Sequence, residues 1–112
     1  MHERDLTLIR ESLYAIGHIN EYVEGFKTIS ELIADSKTYD AVLMNFIVLG
    51  EAASRISDEG KTAIKNVDWR AMKDFRNFLA HDYFGVDENI IWAAIKHELP
   101  RLKEEFESHL SH

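Results

Sequence analysis

Between positions 4 and 26 the apolar residues Leu6, Ile9, Leu13, Ile16, Ile19, Val23 and Phe26 recur at steps of three or four. That spacing follows the 3.6-residue turn of an α-helix and lines one of its faces. A strand, with its period of two, would scatter the same residues over both faces. A helix with one apolar stripe must bury it against something, so the rest of the chain has to supply matching stripes. It does. Val42, Phe46, Leu49, Ala53 and Ile56, widened by Ile47 and Val48, predict a second long helix over residues 39–56. Asp68 stands as an N-cap before Trp69, and Met72, Phe75 and Leu79 give a third helix its inward face. Asp87 caps a fourth, which carries Ile91, Ile95, Leu99, Leu102 and Phe106. Residues 30–34 suggest a short helical turn, Gly25 an end to the first helix, and Gly60 with its polar neighbours a break. The third helix should loosen near His81, and Pro100 should distort the fourth by removing a backbone donor. Four amphipathic helices with short connections predict an all-α, four-helix up-and-down bundle with one extra short helix. Residues 1–112 are expected to form one domain.

The composition narrows the function classes. The 112 residues contain no cysteine, so disulfide frameworks and zinc–thiolate sites are excluded. That fits a reducing, cytoplasmic setting. The opening segment MHERDLTLIR lacks the apolar run of a secretory signal, and no stretch approaches the roughly 20 apolar residues that span a bilayer. A net charge of −7 argues against indiscriminate nucleic-acid binding. The charge is uneven, however. Residues 55–81 carry six basic side chains (Arg55, Lys61, Lys65, Arg70, Lys73, Arg76) against four acidic ones, whereas both flanking segments are acidic.

That basic segment ends in RNFLAHDY, residues 76–83, which places Arg76, His81 and Tyr83 within eight positions. Arginine can hold a phosphate through its fork of donors, histidine can move a proton near neutral pH, and tyrosine can donate a hydrogen bond or be modified. Together they permit phosphodiester cleavage without a metal. RNA carries its own nucleophile, the 2′-hydroxyl; a histidine serves as acid or base and an arginine stabilises the phosphorane-like charge. Asn77 offers a further hydrogen bond. At about 100° per residue, Arg76 and Tyr83 nearly eclipse, but Arg76 and His81 diverge by roughly 140°. Both can enter one cleft only if the helix ends or distorts before His81, or if a second copy of the chain completes the site. Plain structural roles compete: His81 as a helix C-terminal cap, Tyr83 as a half-buried residue with a wet hydroxyl. Glu51 and Arg55, four apart, have the spacing of a surface ion pair. Trp69 and Trp92 read as core or interface residues, and His97, Glu98 and Arg101 as a solvated face. His109 and His112 lack a third metal ligand. No metal site and no cofactor are called for.

Three segments together resemble the HepT-like family of the HEPN superfamily. RNFLAHDY matches its Arg-x4-His-x-Tyr signature. NFIVLGEAASRIS, residues 45–57, is similar to its second-helix pattern, with Asn45, Gly50, Glu51, Ala52 and Arg55 in place. IIWAAIKHELPRL, residues 90–102, resembles its last helix, with Trp92, Pro100 and Leu102. The chain departs from the pattern at Lys73, Asp74 and Phe75, where the family often carries small or Gly-Met residues. The resemblance implies a HEPN-type homodimer and a metal-independent endoribonuclease, the toxin of a type VII-like toxin–antitoxin pair. It implies a partner, a minimal nucleotidyltransferase antitoxin of the MntA type. It also implies that Arg76 and His81 are the catalytic pair, that Tyr83 accepts AMP from the antitoxin, and that Asn77, Glu51 and Arg55 line the cleft. The competing reading is a non-catalytic helical module that docks the nucleotidyltransferase through the Tyr83 region.

Overall fold

The apolar stripes meet as their spacing requires. A computed structural model describes residues 1–110, so His112 lies outside the described residues. Among those residues the regular structure is entirely helical, as expected of a HEPN-type bundle. Helix α1 (Glu3–Val23) buries Leu8, Ile9, Ile16, Ile19 and Val23 along one face. It stops short of Gly25, whose φ of 92° turns the chain in a conformation that side chains disfavour. Helix α2 (Ile29–Ala34) is capped by the Thr28 side chain, which accepts from the Glu31 N–H. Asp35 then closes α2 and caps α3 (Ser36–Ser54) by accepting from the Thr38 N–H, so α3 begins earlier than its apolar stripe does.

Helix α3 is the centre of the bundle and packs against α1 on one side and α5 (Trp69–His81) on the other. Its buried residues Val42, Leu43, Phe46 and Leu49 join Ile9, Ile16, Ile19, Leu79, Ile91 and Phe106 in one core. Each such side chain contributes about 1.5–3 kcal/mol on leaving water.

Residues 58–63, expected to be a break, form a short helix, α4 (Asp58–Ala63). Ser57 is its N-cap, accepting from the Gly60 N–H at 3.0 Å. Ser57 is itself held by Asp5 of α1, which accepts from the Ser57 N–H at 2.9 Å and from its hydroxyl at 2.5 Å. Burial alone would raise the Asp5 carboxyl. The two Ser57 bonds, with His2 and the N-terminal charge, outweigh it and hold the group below the ordinary carboxylate range.

Asp68 and Asp87 cap α5 and α6 (Glu88–Ala93), as their positions predict. The chain runs from α6 through a widened π-type turn, Ala94–Glu98, into α7 (Leu99–Leu110). The distortion expected of Pro100 takes that form. A proline ring collides with the carbonyl four residues earlier, here Lys96, which lies inside the widened turn.

Candidate functional site

Arg76 is fixed by the way α5 lies on α3. Gly50 faces it with no side chain: a Cβ there would sit 2.5 Å from the Arg76 Cβ and 2.8 Å from its Cγ. Only glycine lets the two backbones approach so closely. From that position the guanidinium reaches over α3 to Glu51, with Nη1 3.1 Å from the carboxylate. The Arg76 Nε is buried and has no hydrogen-bond partner among the described residues. The Arg76 side chain is thus mostly buried, paired with a half-exposed carboxylate through Nη1 and left with one donor, Nε, unused.

His81 is the last residue of α5 and is exposed. The helix is intact from Arg76 to His81, so the roughly 140° divergence of a regular helix applies. Of the two ways to unite these side chains, a break before His81 is therefore ruled out. Asp82, next in the chain, does not face His81. Its carboxylate accepts from the Gly85 N–H at 3.1 Å and caps the 3₁₀ turn Tyr83–Gly85.

Tyr83 opens that turn and folds back onto α3, where its hydroxyl donates to the Asp40 carboxylate at 2.6 Å. Burial, then the bond to Asp40 and its charge, and then Tyr39 push the hydroxyl above the ordinary tyrosine range. Burial and the charges of Glu88 and Asp40 raise Tyr39 in the same way. Tyr83 therefore stands among carboxylates rather than beside Arg76. Phe84, against its ring, is 97% exposed.

The sequence is similar to those of known proteins. The model of the family described as "Ribonuclease HepT-like" matches residues 13–109. The chain belongs to the HepT-like family. It is 33% identical over 101 residues to the protein named "Probable ribonuclease HepT" of Thermococcus cleftensis, covering 88% of this chain and 92% of the relative. It is 33% identical over 90 residues to "Putative RNase MJ1380" of Methanocaldococcus jannaschii, covering 79% and 83%. A protein of Caldanaerobacter subterraneus subsp. tengcongensis, "Putative RNase TTE0752", is 31% identical over 85 residues, covering 74% and 76%. No solved structure matches.

In this HepT-like chain the residues singled out from sequence fall into separate groups. Arg76 and Glu51 meet, so the ion pair of Glu51 is with α5 and not with Arg55, the exposed C-cap residue that follows α3. Asn77 is half-buried beside Arg76 on α5. Trp69 stacks near Phe106 and donates from its indole to the Lys61 carbonyl, which makes it a core-edge residue. Trp92 lies half-buried under the Lys96 ammonium. His97, Glu98 and Arg101 are exposed, as a solvated face would be. Among the described residues no group of three or more His, Asp and Glu side chains is arranged to hold a metal ion, and no helix is long and apolar enough to cross a membrane. A cavity of about 620 Å³ between α3, α5 and the last helix is lined mainly by apolar residues such as Phe46, Met72, Phe75 and Leu102 and by none of Arg76, His81 and Tyr83. Sequence reasoning missed Asp40. Its partner lies 43 residues away, and nothing local signals the pairing.

Proposed function

We propose that this chain is a metal-independent endoribonuclease, the toxin of a type VII-like toxin–antitoxin pair whose antitoxin is a minimal nucleotidyltransferase of the MntA type. The observation that carries the reading is the split of Arg76 and His81 around one unbroken helix, in a family whose relatives are named as ribonucleases. Neither residue completes a site alone, so the working unit is a homodimer in which Arg76 of one copy faces His81 of the other. Exposed aromatic surface supports this: Phe78, three residues before His81, is 45% exposed, and Phe84 just beyond it almost wholly so. The two aromatics flank His81 in sequence, where a second copy would cover them.

In this mechanism an RNA phosphate takes the place of Glu51 on the Arg76 guanidinium. The 2′-hydroxyl attacks the adjacent phosphorus and the bond to the 5′-oxygen breaks. His81 takes the proton from the nucleophile or gives one to the leaving oxygen. The products are a 2′,3′-cyclic phosphate and a 5′-hydroxyl. Neutralisation follows from AMP transfer to Tyr83, which adds bulk and negative charge near the edge where RNA must bind.

The test is cleavage of RNA by the purified chain in EDTA. Wild type should cut, and Arg76→Ala and His81→Ala should each be inactive. Mixing and re-pairing the two inactive variants should restore about a quarter of wild-type activity, because half the dimers then hold one intact site of two. Equal activity in wild type and His81→Ala would sink the mechanism. No cleavage by wild type, with tight binding of the nucleotidyltransferase, would leave the docking module as the better account.

A further inference from the structure

We propose that Asp40 is the general base for modification of Tyr83: the toxin carries, on its own α3, the group that takes the proton from the tyrosine as it is nucleotidylated. The inference rests on the reading above in which Tyr83 accepts AMP. Three observations carry it. The Asp40 carboxylate accepts directly from the reacting atom, the Tyr83 Oη, at 2.6 Å. The other aspartates near the turn are committed as caps to backbone groups, Asp82 to the Gly85 N–H of the turn and Asp87 to the Asn89 N–H of α6. Asp40, by contrast, makes no ion pair and accepts no other hydrogen bond among the described residues. Its available basicity points at one hydroxyl.

The chemistry needs such a group. A neutral phenol is a weak nucleophile, and the surroundings of Tyr83 disfavour its phenolate. The proton must therefore leave as the new bond forms, to an acceptor already in place. With ATP as co-substrate the Tyr83 Oη–Pα bond forms and the bond from Pα to the bridging oxygen of the β-phosphate breaks. Pyrophosphate leaves with the electron pair, and the proton passes from Oη to Asp40. Protein kinases place an aspartate against the accepting hydroxyl for the same purpose, but on the enzyme. Here the acceptor protein would bring its own, which would favour this tyrosine over the exposed Tyr14.

The experiment uses the full chain, the adjacent nucleotidyltransferase and magnesium ATP, with initial rates of AMP addition at Tyr83 read by mass spectrometry. Wild type is compared with Asp40→Asn, Asp40→Ala and Asp40→Glu. Asparagine can still accept the tyrosine's hydrogen bond but is not a base. If Asp40 only positions the ring, Asp40→Asn should match wild type and Asp40→Ala should be slow. If it is the base, both should be slowed by about 100-fold, with partial recovery in Asp40→Glu. The acid limb of the wild-type rate profile should also be absent in Asp40→Asn. The other titratable groups around the pair are Tyr39 on α3, Asp82 in the turn and Glu88 on α6, and all are present in every variant. A wild-type rate in Asp40→Asn overturns the role of Asp40 and leaves Tyr83 as the acceptor. No AMP on wild-type Tyr83 overturns the acceptor reading, and the base goes with it.

Discussion

Two glycines in long helices should respond to the same substitution with opposite signs. Gly17→Ala adds a methyl group on the exposed side of α1, where a Cβ meets nothing within 4 Å. Removing a mid-helix glycine should stabilise by about 0.5–1 kcal/mol. Gly50→Ala gains the same propensity but places its Cβ 2.5 Å from the Arg76 Cβ. Ordinary contact begins near 3.4 Å, and both atoms are anchored directly to backbone, so neither can swing aside. Helix α5 must move off α3 by roughly 1 Å, at an overpacking cost of about 1–3 kcal/mol. The net expectation is a loss of about 1–2 kcal/mol for Gly50→Ala. Melting points at one fixed protein concentration should then fall by roughly 4–10 °C for Gly50→Ala and rise by a few degrees for Gly17→Ala. Activity adds a second readout. A displacement of about 1 Å at a catalytic group can cost 100-fold, so RNA cleavage by folded Gly50→Ala should drop far more than its folded fraction does. If Gly50→Ala melts at or above wild type and cuts RNA at the wild-type rate, then the close approach of α3 does not position Arg76.

Further outcomes follow from single contacts. If RNA phosphate binds Arg76 as proposed, Glu51→Gln removes a competing carboxylate; Kd from filter binding and KM from cleavage should both fall severalfold, while stability changes by less than about 1 kcal/mol, as for most partly exposed pairs. An unchanged or higher KM would mean that RNA does not displace this carboxylate. Tyr83→Phe should keep RNA cleavage yet resist the antitoxin's AMP transfer, so co-expression should no longer rescue growth; survival would indicate neutralisation by binding alone. Asp5→Asn weakens a buried acceptor of two hydrogen bonds and should cost about 1–3 kcal/mol in denaturant titrations. Because the folded-state pKa of Asp5 is lowered, its contribution is full above about pH 4 and lost as pH falls further, so the gap between wild type and Asp5→Asn should close in acid. A gap that widens in acid would contradict that sign.

What was legible in the sequence was local. The apolar stripes and the caps Asp68 and Asp87 depend on residues within a turn of one another, and the helices begin where those residues say. Helix α4 was missed because Gly60 reads as a breaker. The local signal was Ser57 followed by Asp58 and Glu59, a cap and an acidic first turn, but its other support is Asp5, 52 residues earlier. The partners of Glu51 and Tyr83 were invisible for the same reason. Helical spacing offers Glu51 the neighbour Arg55, whereas the fold offers Arg76 on a facing helix.

The divergence of Arg76 and His81 lies between these cases. Spacing alone gave the angle but left two ways to reconcile it with a shared site. The choice turned on where α5 ends, and its end is set by Asp82, which turns back to cap the next turn instead of continuing the helix. Had the break come before His81, one chain could have closed around a phosphate and dimerisation would have been incidental. Because the helix includes His81, the proposed mechanism makes pairing a condition of catalysis. Activity should then fall with dilution as dimers separate, and Phe78 and Phe84, which touch no reacting atom, should matter to cleavage through the interface. Phe84→Asp should therefore lower activity most at low protein concentration and least at high concentration. A loss independent of concentration would place Phe84 in substrate binding instead.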